Sequence, residues 1–335
     1  MKKFLSMLMI LAVLLSCCAC GAKSEDKQTV TPDVMSPEAM YGHIDQSQKI
    51  DGVYKIWNAE GVKNIAKHPD AKFEFLCNVD MQGAQVKGFD TYTGDFNGAN
   101  FTISNFTIKG GEDGAFGFFG VNKGNVENLY LQYVSFEPDA KATNIGSFAG
   151  INEGLIKRSK LFGSTLELAQ VGESANCGAV VGTNTGELNI VEVDVALNCT
   201  ATAAKNVGGI AGVAEGGKME YVDTLGALTL NGVSANYGLY AGTAKNVTFN
   251  TCVFVGAENS VDGKLFTNFS GVEENAEYPT CMLRDNDVAP LPENVQYVRD
   301  LAVKQMKDMA TVEWHVSQEL VHSCKCGTTG TCEGT

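Results

Sequence analysis

The chain has 335 residues, of which 44% are hydrophobic and only 19% are charged, and its formal net charge is −14. A composition this apolar and this poor in charge excludes an intrinsically disordered chain. The acidic balance excludes binding to nucleic acid through a basic surface, and it provides no electrostatic attraction to an anionic membrane. Glycine is frequent, at 37 residues, and proline is rare, at 7, which favours a β-rich body with many turns.

The N-terminus has the pattern of an export signal. Two lysines precede the apolar run FLSMLMILAVLL, which is too short for a membrane span of about 20 residues. The letters LLSC that follow resemble a bacterial lipobox, in which the cysteine is diacylated and becomes the new N-terminus. The resemblance predicts a signal peptide over residues 1–16 and lipidation at Cys17, with Cys18 and Cys20 as alternatives. An ordinary secretory signal is the competing interpretation.

Lipidation at this position implies that the mature protein stays on the extracellular face of the cytoplasmic membrane. Cleavage after residue 16 removes two lysines and no acidic residue, so the formal net charge changes from −14 to −16. Residues 17–45 hold the acceptor cysteine and a polar, unpatterned segment, which predicts a flexible tether. The first predicted partner is therefore the membrane, which is reached through the lipid alone.

Residues 46–110 are predicted to form a β-rich segment with one short helix. The pattern favours a helix over residues 59–67, followed by a strand in which Phe73, Phe75 and Cys77 alternate with polar residues. An Asn-Gly pair then predicts a turn, and the apolar residues Phe101 and Ile103 after it lie on one face of a further strand.

Residues 111–270 contain an internal repeat. The segment FGFFGVNKGNV recurs as IGSFAGINEGLI, CGAVVGTNTGEL and VGGIAGVAEGGK, and more weakly as YGLYAGTAKNVT. The five units share a central glycine, at intervals of 30, 32, 30 and 30 residues: Gly120, Gly150, Gly182, Gly212 and Gly242. A fixed period of this length is typical of a solenoid in which each repeat stacks on its neighbour.

Alignment of the five units produces further columns. The position two before the central glycine is always large and apolar: Phe118, Phe148, Val180, Ile210 and Tyr240. Two after it stand the asparagines Asn122, Asn152 and Asn184, which predict a hydrogen-bonded amide ladder along the stack. Four after it stand Gly124, Gly154, Gly186 and Gly216, and then Asn246. Because asparagine tolerates the left-handed region best after glycine, this last column predicts a turn with positive φ.

These columns predict an all-β fold. Each unit of about 30 residues is long enough for one coil of about three short strands, and like residues of successive coils would stack at the inter-strand spacing of about 4.8 Å. The sequence therefore predicts a right-handed parallel β-helix, with a short helix near its N-terminus and one helix in the C-terminal segment.

The five units resemble the GLUG repeats of bacterial surface proteins, and the resemblance covers residues 50–255. The family's lead-in segment ends in a turn like FDGNG, whereas this chain has FNGAN at residues 96–100, so any role of that acidic residue is lost. The resemblance implies a structural or adhesive scaffold whose partners are the cell wall or a host glycan or protein. It implies no catalytic residues and no cofactor.

The repeat pattern ends near residue 270, and residues 271–335 do not contain the repeated glycine and asparagine columns. The segment LPENVQYVRDLAVKQMKDMA predicts a helix, and TVEWHV after it predicts a strand. About 30 residues resemble the opening of a clostridial cysteine-peptidase-like cell-wall hydrolase domain. In that family the nucleophile lies further along than this sequence extends, so a hydrolase with its catalytic part missing is the alternative function.

Other candidate chemistry is limited to a few residues. Cys324, Cys326 and Cys332 stand close to His322, and a disulfide is favoured over a metal site because an exported chain tends to oxidise such thiols. Five scattered cysteines, from Cys77 to Cys281, favour buried free thiols. The acidic residues Asp80, Asp90 and Asp95 are close in sequence, but such turn residues are usually solvated or capping.

The repeated glycines do not indicate a phosphate-binding loop, because no Lys-Ser/Thr pair follows them. Three tyrosines suggest carbohydrate binding as a second alternative function: Tyr130, Tyr133 and Tyr221. The main prediction is a lipid-anchored surface protein whose solenoid is a structural or adhesive scaffold. No metal, cofactor, nucleic acid or enzymatic activity is expected of the chain as given, and its oligomeric state stays open.

Overall fold

The computed structural model describes residues 35–110, 114–255 and 259–284, and within them the chain forms a β-solenoid of about six turns. The all-β prediction is confirmed: the described helices are the short α-helices Pro37–Tyr41 and Ala59–Asn64 and the 3-10 helix Ile65–Lys67. The helix predicted in the C-terminal segment lies outside the described residues.

The strands, numbered in chain order, form three sheets along the solenoid. Sheet A has seventeen strands: β1 (Lys49–Ile50), β2 (Val53–Ile56), β3 (Lys72–Phe75), β4 (Val79–Lys87), β6 (Asp95–Asn97), β7 (Thr102–Gly110), β10 (Asn125–Glu127), β11 (Tyr130–Pro138), β14 (Leu155–Leu168), β17 (Glu187–Cys199), β20 (Lys218–Thr224), β21 (Leu228–Leu230), β24 (Thr248–Asn250), β25 (Val253–Val255), β26 (Ser260–Val261), β27 (Lys264–Leu265) and β29 (Met282–Arg284).

Sheets B and C are smaller. Sheet B has seven strands: β5 (Phe89–Tyr92), β9 (Phe119–Asn122), β13 (Ala149–Asn152), β16 (Val181–Asn184), β19 (Ala211–Glu215), β23 (Ala241–Lys245) and β28 (Ser270–Glu274). Sheet C has five strands: β8 (Ala115–Phe116), β12 (Asn144–Ile145), β15 (Ala175–Gly178), β18 (Ala204–Gly208) and β22 (Asn236–Gly238).

One coil passes through the three sheets in turn. In the third coil, for example, the chain runs from β12 in sheet C to β13 in sheet B and then into the long strand β14 of sheet A. β14 bends within its length, so that its first part pairs with β10 and its second part pairs with β11. Successive coils pair in parallel, whereas β1 with β2 and β26 with β27 form antiparallel hairpins.

Sheet B shows the repeat most directly. Its pairing follows one column of residues from coil to coil: Phe89, Phe119, Ala149, Val181, Ala211, Ala241 and Ser270. The predicted repeat segment ends at residue 270, yet β28 continues the stack in register on β23. Seven rungs at the usual inter-strand spacing extend over about 29 Å.

The interior is mainly apolar, and the predicted apolar column lies within it. Phe118, Phe148, Val180, Ile210 and Tyr240 are all at most 1% exposed. At the N-terminal end, the helix Ala59–Asn64 covers the core, because Val62 and then Ile65 are fully buried. The Asn58 side chain begins this helix by accepting hydrogen bonds from the backbone N–H groups of Glu60 and Gly61.

Candidate functional site

The three predicted ladder asparagines lie inside the solenoid, one above the other. The Asn122 Nδ2 donates to Asn152 Oδ1 at 2.8 Å, and the Asn152 Nδ2 donates to Asn184 Oδ1 at 2.7 Å. All three are 0% exposed. Their Nδ2 groups also contact backbone carbonyls, such as that of Leu155 at 3.2 Å from Asn122. Because the ladder is enclosed, it links the coils and offers no surface to a ligand.

A second asparagine ladder, which the sequence reasoning missed, lies on sheet C. Side-chain amides of successive coils donate along the stack, at 3.1, 2.7 and 2.9 Å: Asn176 to Asn144, Asn206 to Asn176, and Asn236 to Asn206. Threonines of sheet B complete it, since the Thr183 hydroxyl donates to Asn144 Oδ1 at 2.6 Å and that of Thr243 to Asn206 Oδ1 at 2.7 Å. The signal was an asparagine six residues before the central glycine in each of the last four units.

The five central glycines lie on sheet B, and at the last four of them a strand of sheet C from the preceding coil passes close to the backbone. A Cβ at each of these positions would come within 2.3–3.0 Å of a backbone atom of the preceding coil. At Gly150, for example, it would lie 2.5 Å from the Phe116 backbone nitrogen. The column Gly120, Gly150, Gly182, Gly212 and Gly242 therefore permits close packing of the two sheets and forms no cradle for a phosphate.

The prediction of a turn with positive φ, made for the column four residues after the central glycine, is wrong for the first three members of that column. Gly124, Gly154 and Gly186 have no positive φ, and glycine is needed there because a Cβ would lie 2.1–2.2 Å from a carbonyl oxygen of the coil before. In the fourth unit this stacked position belongs to Gly217, since Lys218 pairs with Glu187. Gly216 is an extra residue with φ +65° and open space around it. Because of this one-residue insertion, the sequence alignment placed Gly216 in a column to which Gly217 belongs in the structure.

A left-handed column does exist, but it lies at the bend of sheet A. The residues with positive φ there are stacked from coil to coil, with φ between 48° and 59°: Asn128, Arg158, Ile190, Tyr221, Thr251 and Thr280. Their side chains share no common type, so no sequence column marked the position. A β-branched residue in this region is strained, and Ile190 is the clearest case.

The three tyrosines proposed for carbohydrate binding have different surroundings. Tyr130 is only 5% exposed, and its hydroxyl donates to Asn100 Oδ1 at 3.2 Å, so its suggested role in carbohydrate binding is wrong, because the ring is not available to a sugar. Tyr221 is half-buried. Tyr133 is 58% exposed, and its ring lies against Gly163 of the next coil, where an added Cβ would be 2.7 Å from its Cε1. Only Tyr133 presents most of its ring to solvent.

Tyr133 borders an open groove of about 780 Å³ on the outer surface of β11 and β14. Polar side chains line the groove beside the ring, among them Ser135, Thr165 and Glu167. The Glu167 Oε1 accepts from Asn198 Nδ2 at 2.7 Å, and Glu137, also in the lining, pairs with Lys109 at 2.7 Å. An exposed aromatic face beside hydrogen-bonding groups held by neighbouring coils suits the stacking of a sugar ring.

The acidic residues near the N-terminal end are engaged separately and form no catalytic group. Asp80 accepts from the Gln82 backbone N–H and from the Asn105 amide, and these hydrogen bonds lower the pKa of its carboxyl. Hydrogen bonds from Lys72 and Asn125 likewise lower the pKa of Asp95. Asp90 pairs with Lys87, three residues earlier. All three serve turn formation or surface pairing, in agreement with the solvated or capping role that was favoured.

The five cysteines from Cys77 to Cys281 are free thiols. Burial raises the pKa of Cys77 to about 11, and that of Cys177 rises for the same reason. Among the described residues no group of three or more His, Cys, Asp or Glu side chains could hold a metal ion. The remaining candidates, together with the hydrolase-like match, lie outside the described residues: Cys17, Cys18, Cys20, His322, Cys324, Cys326 and Cys332.

Residues 35–284, apart from the short gaps at 111–113 and 256–258, contain no helix that is long and apolar enough to cross a membrane. Comparison with protein-family models, with curated proteins and with solved structures finds no match to this chain. The functional argument therefore depends on the geometry described above.

Proposed function

We propose that this protein is a lipid-anchored surface protein in which the β-solenoid is a stiff spacer with an adhesive outer face. The observation that carries the proposal is the unbroken register of sheet B, in which seven rungs stack from Phe89 to Glu274. Such a stack is stabilised by contacts between neighbouring coils, so it can stay extended without packing against another domain. The GLUG resemblance and the lipobox resemblance point to the same role.

Two ladders of asparagine side chains, one enclosed and one half-exposed, support the stiffness of this spacer. The amides of Asn122, Asn152 and Asn184 are enclosed, and bending the stack there would leave buried polar groups without partners, at about 1–3 kcal/mol each. On the outer surface, opposite charges of neighbouring coils face each other, as in the pairs Lys123–Glu153 at 3.1 Å and Lys160–Glu192 at 3.4 Å. The exposed Lys123–Glu153 pair adds at most about 1 kcal/mol, and it disfavours a slip in register together with the less exposed Lys160–Glu192 pair.

Membrane anchoring is tested with the Cys17→Ser variant and a matched control, Cys20→Ser. Cells grown with a labelled fatty acid should show a labelled, membrane-bound wild-type protein and control. The Cys17→Ser variant should be unlabelled and should leave the membrane fraction. If Cys17→Ser remains labelled and membrane-bound while Cys18→Ser does not, the acceptor is Cys18. Membrane release or lack of label in the wild type itself would refute the lipoprotein proposal.

Carbohydrate binding is the second candidate function, and the Tyr133 groove is the observation that favours it. We expect the purified protein to bind cell-wall or host glycans on a glycan array. Tyr133→Ala should lower the affinity by about two- to twelvefold, since stacking on an aromatic ring contributes about 0.5–1.5 kcal/mol. Tyr221→Ala is the control, because Tyr221 is half-buried and does not line the groove. Equal effects of the two substitutions, or no glycan bound by the wild type, would refute this function.

A further inference from the structure

Two cysteines of successive coils occupy equivalent positions near the C-terminal end of the described stack. Val253 pairs with Met282, and the hydroxyls of Thr251 and Thr280 lie 2.8 Å apart, so the residues between them, Cys252 and Cys281, face each other across one rung. The Met282 backbone N–H also donates to the Cys252 carbonyl at 3.0 Å. The register of the backbone therefore brings the two thiols together.

The surrounding groups hold this pair in place. The Tyr240 hydroxyl lies 2.8 Å from the Cys252 carbonyl oxygen and 2.6 Å from that of Met282, so one side chain contacts both rungs. The Cys281 thiol donates to the Phe249 carbonyl at 3.0 Å, and after burial the Cys281 side chain is the next cause that raises the pKa of the Cys252 thiol. Neighbouring rungs place Cα atoms about 4.8 Å apart, within the range of about 4.4–6.8 Å that a disulfide requires.

We propose that Cys252 and Cys281 are a redox-responsive pair that forms a disulfide between the last two described coils when the protein meets a disulfide oxidant. The bond closes a loop of one full coil and fastens the rung of β29 to that of β25. No other free thiol pair of the described residues combines facing positions on neighbouring rungs with an accessible member. In the buried pair Cys177 and Cys199, both thiols are at most 1% exposed.

The accessibility of the two sulfurs sets the order of the reaction. Cys281 is partly exposed, whereas Cys252 is fully buried and its burial raises the pKa of the thiol. The Cys281 thiolate, having lost its proton to solvent, attacks oxidised glutathione and releases one glutathione thiolate. The Cys252 thiol then loses its proton and attacks the Cys281 sulfur, which releases the second glutathione. Two protein thiols are oxidised, and one glutathione disulfide is reduced to two thiols.

The test is differential alkylation of the full chain after equilibration in glutathione buffers of increasing oxidised fraction, with peptide mapping by mass spectrometry. We expect a cross-linked peptide that joins Cys252 to Cys281 and has lost two hydrogen atoms, while Cys177 and Cys199 remain free to be alkylated after unfolding. Reductant should restore both thiols. Free Cys252 and Cys281 throughout, or faster cross-linking of Cys177 to Cys199, would overturn the proposal.

Two variants separate the roles of the two sulfurs. Cys252→Ala keeps the entry thiol and removes the resolving thiol, so its Cys281 should accumulate as a mixed disulfide with glutathione. Cys281→Ser should leave Cys252 reduced in every buffer. If Cys281→Ser instead accumulates glutathione on Cys252, the proposed order is wrong. The wild-type measurement needs no substitution, so the disulfide itself remains testable if a variant fails to fold.

Discussion

Replacement of Gly154 by alanine tests whether glycine is required at this position because the backbones of two neighbouring coils approach each other closely. Gly154 has an ordinary φ, so alanine is compatible with its backbone conformation. The added Cβ would lie 2.2 Å from the Gly124 carbonyl oxygen and 2.8 Å from the Lys123 carbonyl carbon. Neither contact involves a flexible side chain, so the two coils must separate locally by about 1 Å to restore normal contact distances.

That separation acts on the hydrogen bonds between the two coils. The Glu153, Gly154 and Leu155 backbone N–H groups donate to the coil before at 2.8, 3.0 and 3.0 Å. A shift of about 1 Å would stretch these bonds beyond the hydrogen-bonding range, and each contributes about 0.5–1.5 kcal/mol. Together with the cost of overpacking, about 1–3 kcal/mol, we expect Gly154→Ala to lower the free energy of unfolding by about 3 kcal/mol or more.

Gly216→Ala is the matched control, because a Cβ there meets no atom within 4 Å. Its cost comes only from φ +65°, at about 1 kcal/mol. The assay is urea unfolding of each purified variant, followed by far-ultraviolet circular dichroism at matched protein concentration. If Gly154→Ala costs no more than Gly216→Ala, close backbone approach is not what requires glycine in this column.

Three further predictions follow from particular side chains and use the same unfolding assay. Asn152→Ala should lower the free energy of unfolding by about 2–5 kcal/mol, because it leaves two enclosed amides each lacking a partner. Asn176→Ala, in the half-exposed ladder, should lower it by less than half as much, because water replaces the lost hydrogen bonds. Ile190→Asn should stabilise the fold by about 1 kcal/mol by relieving strain at φ 56°, and a loss of stability would contradict this. Because the pKa of Asp95 is lowered in the folded state, its carboxylate contributes to stability above about pH 4, and this contribution is lost as the pH falls further. Asp95→Asn should therefore reduce the destabilisation by acid, by less than about 1 kcal/mol because the pair with Lys72 is exposed. An unchanged dependence of stability on pH would contradict the pairing.

The repeats made much of the fold predictable. The spacing of the central glycines predicted stacked coils, and the asparagines two residues later predicted the enclosed ladder, because a buried amide at a constant interval needs a partner in the next coil. The second ladder was equally regular in sequence, from Asn144 to Asn236. It was missed because its residues lie outside the segments that were aligned.

Other features had no sequence signal. The one-residue insertion at Gly216 moves the stacked position to Gly217, which is visible only from the pairing of the following strand. The exposure of each tyrosine depends on the residues that the neighbouring coils place beside it. Tyr130 is therefore 5% exposed, whereas Tyr133, three residues later, is 58% exposed. The facing positions of Cys252 and Cys281 likewise follow from the register of the last two described coils.

The sequence by itself determined the period, the apolar interior and the enclosed amides, because each repeat carries its own copy of these local requirements. The tertiary structure decided which glycines meet a neighbouring backbone, where the left-handed bend lies and which side chains remain exposed. These properties depend on contacts between residues about 30 positions apart. A one-residue change in the length of a coil alters such contacts without altering the local pattern, which is why the stacked structure is needed to locate them.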